Sequence, residues 1–235
     1  MELEKITDSR NSPSKRRYDD ACGTAHALDL IGERWSLLVM RELMLGPKRF
    51  SDIRADLPGI SANTLTQRLE GLEQAGIVVR SQLPPPASGQ VYELTEWGYQ
   101  SKPIMGALGR WATRSPSHDP TQHFSAVSLI LSFQAMGQPG LPKDIDASIG
   151  FRLGRESYRV RIRDGAIDAA RGEADGADLI FTGAPRTIAA AVYGGVPLAA
   201  LEAEGALGIE GDRALAERFV TLFPLPPKAG FNGIS

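Results

Sequence analysis

The chain is poor in what catalysis and metal binding require. Among 235 residues there are one cysteine and three histidines. One cysteine makes no internal disulfide. The histidines show no ligand spacing with cysteine or clustered carboxylates, so neither metal nor cofactor is expected. No G-x-S-x-G, Walker loop or dinucleotide fingerprint occurs, and the glycines of 205–211 read as turn residues, so no enzyme is expected. No apolar run approaches a membrane span. The opening MELEKITDSRNSPSKRR lacks an apolar core, so a secretory signal is not expected and the cytoplasm is the expected compartment. A strong charge of either sign is missing too. The net charge is −2, with +1 over residues 1–115 and −3 over 116–235. That balance argues against a protein that coats nucleic acid, yet leaves room for a local cationic face, because phosphate contacts are local.

What is present is an ordinary globular composition, 42% hydrophobic, at a length that suits two small domains. Residues 1–18 read as a disordered arm. Arg10, Lys15, Arg16 and Arg17 occur there with no acid from Ser9 to Tyr18, which fits either a solvated tail or a basic arm on DNA phosphates. From Asp19 the apolar period is helical. Ala21, Ala25, Leu28 and Ile31 mark one helix, and Trp35, Leu38, Val39, Leu43 and Leu45 a second. KRFSDIRADL is a short amphipathic helix with Phe50, Ile53 and Leu57 inward. Pro58-Gly59-Ile60 then breaks the chain, Ser61 serves as N-cap, and a helix runs to Gly76.

That last helix, SANTLTQRLEGLEQAG, buries Leu65, Leu69 and Leu72 and gives its other face to amides, hydroxyls and one arginine. A helix entering the major groove needs such groups: Asn and Gln match adenine, Arg matches guanine, and hydroxyls serve bases or phosphates. The period then changes to two. IVVRSQ and QVYELT read as strands around the proline-rich LPPPASG, and a kinked or late-starting helix follows around Pro103. Three helices and a hairpin are the winged helix-turn-helix order.

The block CGTAHALDLIGERWSLLVMRELMLGPKRFSDIRADLPGISANTLTQRLEGLEQAGIV, with YELTEWG at the hairpin exit, closely resembles the HxlR-type branch of the MarR-like winged-helix transcriptional regulators over roughly residues 20–113. The resemblance implies a homodimer paired through the first helix and the post-wing helix. Such a dimer, a repressor on this reading, would bind double-stranded DNA at an inverted repeat with half-sites ~34 Å apart. Carried onto this chain, the groove readers are Ser61, Asn63, Thr64, Thr66, Gln67 and Arg68. Lys48 and Arg49 are expected on phosphates, with Arg80 and Gln90 flanking the wing tip. The PPPASG tip lacks Lys and Arg and departs from a basic wing. In some members the cysteine at the position of Cys22 senses oxidants. His26 would assist that role and Asp19 and Asp20 oppose it, and the alternative is a small buried residue at the dimer interface.

Residues 19–114 are thus read as the DNA-binding and dimerisation domain, 115–123 as a linker, 124–226 as a second domain and 227–235 as a tail, an α+β chain overall. In the second domain FSAVSLILSFQAMG reads as a buried helix, four short strands follow, and three helices with LGIEG as a strand close it. Arg159, Arg161 and Arg163 alternate with Tyr158, Val160 and Ile162 as a solvated sheet face or, alternatively, a polyanion site. The pattern resembles the sterol-carrier-protein (SCP-type) fold, a mixed sheet with packed helices. That resemblance implies an apolar tunnel for a hydrophobic small-molecule effector, lined by Phe133, Phe151, Tyr158, Phe181, Tyr193, Leu201, Phe219 and Phe223, unless the same residues fill a solid core. The competing functional reading is a lipid or small-molecule carrier, or a Cys22 redox sensor, whose winged helix serves protein contacts.

Overall fold

The computed structural model describes residues 18–82, 88–137 and 140–230. The basic arm up to residue 17, residues 84–87 of the PPPASG tip and the end of the tail lie outside the described residues. Four helices open the fold: α1 (Gly23–Ile31), α2 (Ser36–Leu43), α3 (Phe50–Asp56) and α4 (Ala62–Gln74). The hairpin β1 (Val78–Gln82) and β2 (Gln90–Leu94) follows, paired Val78 to Leu94 through Gln82 to Gln90. Next come α5 (Glu96–Tyr99) and α6 (Lys102–Ala112). The helix expected after the hairpin is therefore two, split at Gln100–Ser101, with Pro103 in the first turn of α6 where a missing N–H costs nothing.

The core of this half is Val39, Met40 and Leu43 from α2, Ile53 from α3, Leu65, Leu69 and Leu72 from α4, and Val78 and Leu94 from the hairpin, all buried. The three leucines of α4 recur at helical spacing and fix which face turns inward. Leu38, expected in the core, is exposed, and Met40 and Met44 take up that volume.

In the second half α7 (Ala126–Met136) precedes β3 (Ala147–Leu153), β4 (Glu156–Arg163), β5 (Ala166–Arg171) and β6 (Leu179–Gly183); then come α8 (Pro185–Gly194), α9 (Leu198–Ala203), β7 (Leu207–Gly211) and α10 (Arg213–Phe219). The sheet order is β5-β4-β3-β6-β7, antiparallel except for the β3–β6 pair. Tyr158, Val160 and Ile162 of β4 point inward, whereas Arg159 and Arg163 point outward. Arg159 donates to the carbonyls of Glu173 and Asp175, and Arg163 to Asp146. The segment after β5 crosses the sheet so closely that a Cβ on Gly150 would lie 2.6 Å from the Ala174 carbonyl.

The expected apolar tunnel is filled. Phe133, Phe151, Phe181, Phe219 and Phe223 pack ring against ring with centroids 4.9–5.8 Å apart, the edge-on and tilted contacts that aromatic quadrupoles favour. Leu201 is buried, the Tyr193 hydroxyl lies 2.6 Å from that of Ser132, and the Tyr158 hydroxyl leaves the core to donate to Glu156. Of the two alternatives left by the sequence, these residues form the solid core. A polar cleft of about 350 Å³ opens instead between the halves, lined by Asp52, Arg155, Glu156, Arg171 and Glu173 among others.

The halves are joined by more than the 115–123 segment. Leu45 is part of the second core, and Leu131 of α7 packs against both. Between them sits Lys48, its side chain 1% exposed, with Nζ 2.6 Å from Asp56, 3.1 Å from Glu42 and 3.4 Å from Glu156. Glu42 also accepts from Arg41 and from Ser125, whose Oγ caps α7 by accepting from the Ser128 N–H. Glu156 accepts from Tyr158 and pairs with Arg171 at 3.1 Å. The expectation that Lys48 meets DNA phosphates is corrected: its ammonium is committed to three internal carboxylates. Among the described residues no helix is long and apolar enough to cross a membrane.

Removing one member of a buried ionic cluster strands the others. Lys48→Met is expected to destabilise the fold by about 3–5 kcal/mol in urea titration. Burial pulls the Lys48 pKa down, but Glu42, Asp56 and Glu156 together hold it above the ordinary 10.5. The stability it contributes is therefore complete below pH 10.5 and lost as pH rises through the higher folded value. Urea midpoints measured across that range should fall for the wild type and stay flatter for Lys48→Met.

Candidate nucleic-acid interface

The helix-turn-helix is α3, a break and α4. Gly59 makes the break with φ 90°, a left-handed conformation that side chains resist. Ser61 then caps α4: its Oγ accepts from the Thr64 N–H at 3.0 Å and contacts the Thr64 hydroxyl at 2.8 Å. The other end closes as a Schellman motif. Gly76 adopts φ 71°, its N–H reaches the Glu73 carbonyl, and the Ile77 N–H reaches the Leu72 carbonyl at 2.9 Å. Thr95 donates to the Gly76 carbonyl and caps α5, so the wing exit is tied to the end of α4. Gly98 of TEWG sits so close to the Ile77 carbonyl that a Cβ would collide with it.

The structure sorts the expected DNA contacts. Asn63, Thr66 and Gln67 are exposed, and Asn63 and Gln67 stand one turn apart on one face. Ser61 is exposed and Thr64 half-buried, but their hydroxyls serve the cap and each other. Arg68 is turned to the flank, where Nη1 lies 2.9 Å from Glu33. Arg49 is exposed at the start of α3 and donates to the Ser88 carbonyl at the wing base. Arg80 pairs with Glu73 at 2.7 Å and lies over the Tyr92 ring, whose hydroxyl accepts from Gln90 at 3.1 Å. The wing is further braced by a bridge between Lys48 and Tyr92, with backbone bonds of 3.0 and 2.9 Å. The free face is thus Asn63, Thr66 and Gln67, while Arg49 is exposed against the wing. Sequence reasoning missed Glu33 and Glu73, the acids that hold Arg68 and Arg80. Glu73 precedes Arg80 by seven residues across the end of α4, a spacing that could have signalled the pair, whereas Glu33 lies two helices before α4 and nothing local links it to Arg68.

Two further features of this half are exposed. Cys22 is exposed on the single chain at the N-cap of α1, where the nearby donors of Thr24 and Ala25 lower its thiol pKa. The Asp20 carboxylate accepts the Cys22 N–H at 2.8 Å. On α6 no residue is buried. Ile104, Leu108 and Trp111 form an exposed apolar strip, Trp111 at 71%, and Leu28 of α1 is exposed too. Among the described residues no group of His, Cys, Asp and Glu is placed to hold a metal ion.

A three-helix module with a capped polar helix and a braced hairpin is a winged helix-turn-helix, a class built to present one helix to duplex DNA. A profile of the HxlR-like helix-turn-helix family matches residues 30–119. The HTH-type transcriptional regulator YvaP of Bacillus subtilis is 39% identical over 87 residues, 37% of this chain and 81% of that protein. YodB of the same organism, another HTH-type transcriptional regulator, is 41% identical over 86 residues, 37% of this chain and 77% of its own length. The solved reduced form of YodB shares 36% identity, with 43% of this chain and all of that chain covered at a TM-score of 0.38. The chain belongs to the HxlR-like helix-turn-helix family. The family match ends at residue 119, before α7 begins.

Asn63→Ala and Gln67→Ala are each expected to weaken operator binding by about 1–3 kcal/mol in gel-shift titration, with unchanged melting. Ser61→Ala should instead lower stability by ~1 kcal/mol through loss of the cap.

Proposed function

We propose that this DNA-binding transcriptional regulator acts as a homodimeric repressor on an inverted-repeat operator. The observation that carries the dimer is the apolar strip Ile104, Leu108 and Trp111 on α6, with Leu28 of α1. Burying one such side chain contributes about 1.5–3 kcal/mol, so a symmetric pair of strips is ample for a stable contact. Pairing through α1 and α6 presents two copies of the Asn63, Thr66 and Gln67 face to successive turns of one groove. Half-sites ~34 Å apart follow from that symmetry.

The second half is the sensing half on this reading. A five-stranded mixed sheet with packed helices supports its SCP-like assignment. The filled ring cluster sets a condition: a hydrophobic effector enters only by parting Phe133 from Phe219 and Phe223, and it releases DNA only if it favours one docking of the halves over another. A second input is favoured by the exposed, acidified thiol of Cys22. Oxidation there would act on α1, one of the two pairing helices.

Trp111→Asp is expected to shift the protein to monomer in sedimentation velocity and to cost at least tenfold in operator affinity. Selection from a random DNA pool should return an inverted repeat. Recovery of single half-sites by a protein that sediments as a monomer would overturn the dimer. Cys22→Ser should abolish diamide sensitivity of DNA binding, and unaltered sensitivity removes the redox input.

A further inference from the structure

We infer that Glu33 and Arg68 form a clamp that sets the pitch of α4 against α1, and that Glu33 is a positioning residue for DNA binding that acts through Arg68 without touching DNA. The inference rests on α4 being the recognition helix. Arg68 belongs to the polar side of α4 by sequence, yet its side chain is only 19% exposed, unlike the open amides of Asn63 and Gln67. Its Nη1 lies 2.9 Å from Glu33, and its Nε is buried with no hydrogen-bond partner. A guanidinium that gives up water at Nε is held by its ion pair and by packing of its stem, since an orphaned donor is itself unfavourable. Reaching a base edge would require it to abandon both.

The turn that carries Glu33 is itself unusual. Trp35, at the N-cap of α2, has φ 82°, the left-handed region that bulky residues enter only when the surroundings fix them there. The Trp35 ring packs on the first core, and it borders Gly59 at the break before α4, where an added Cβ would lie 3.8 Å away. The strained turn therefore touches the recognition helix twice, through Gly59 at its approach and through Arg68 midway along it. Immediately before the turn is α1, which carries Leu28 and Cys22. The clamp links the orientation of the reading helix to a pairing helix.

The charge of Glu33 makes the inference decisive to test. Glu33 is 60% exposed and brings a negative charge to the flank of a helix read as meeting a polyanion. If it were merely an acid near DNA, neutralising it would raise affinity. If it positions Arg68, neutralising it lowers affinity. The experiment uses the full chain and the operator recovered by selection, with fluorescence anisotropy at several salt concentrations and melting as a fold control. Glu33→Gln, a surface change, is expected to bind about three- to tenfold more weakly with an unchanged salt slope, because no phosphate contact is lost. Arg68→Glu should bind more weakly still, and Glu33→Arg combined with Arg68→Glu should recover to within about threefold of wild type. Tighter binding by Glu33→Gln, or a reversed pair no better than Arg68→Glu alone, would overturn the clamp while leaving DNA recognition intact. Failure of the wild type to select any DNA would overturn the recognition-helix reading and the clamp with it.

Discussion

One buried ammonium organises the molecule. Lys48 stands at the junction of the two halves, ringed by carboxylates from α2, α3 and β4. A lone lysine at 1% exposure would be driven neutral by desolvation, and three clustered acids would be driven to protonate. Together, and with Arg41 and Arg171 beside Glu42 and Glu156, the charges compensate. The backbone of the same residue bridges to Tyr92 in the wing. One position therefore fixes the first helix of the motif, its wing and the second sheet with respect to one another. Such a cluster adds little net stability over an apolar plug, but it tolerates few alternative dockings, because each misplacement leaves a charge unpaired.

This arrangement joins the motif at residues 30–119 to the sheet beyond it. The family's own module ends before α7, yet Ser125 caps α7 while donating to Glu42 of α2. Leu45 is given to the second core, and Arg155 reaches Asp52 of α3 at 3.3 Å. The polar cleft lies along this seam, bordered by the same Glu156 and Arg171 that complete the Lys48 cluster.

Much of the fold was legible in the chain because local rules and tertiary structure agree there. Ser61 and Gly76 bound α4, the leucines at 65, 69 and 72 face inward, and the alternation in SYRVRIRD makes β4. Illegible were the choices made by partners far along the sequence. Lys48 and Arg49 are adjacent and chemically alike, yet one is sealed in by Glu42, Asp56 and Glu156, the last from far along the chain, and the other is exposed. Arg68 reads as a groove residue from its place on the helical wheel, and the Glu33 carboxylate, in the turn between α1 and α2, draws it aside. The phenylalanines are the lining that the SCP-type resemblance implies, but a resemblance says nothing about whether rings meet each other or enclose a void. Here they meet.

The helix α7 touches everything that matters. Leu131 leans on the first core, Phe133 anchors the ring cluster, and α6 lies alongside with its far face open. A stiff rod pinned at three places cannot tilt at one without moving the others. In the proposed pair, a small rotation of this rod would swing two reading heads in opposite senses against half-sites ~34 Å apart. The span of the duplex thereby becomes a gauge of how tightly the aromatic interior is packed.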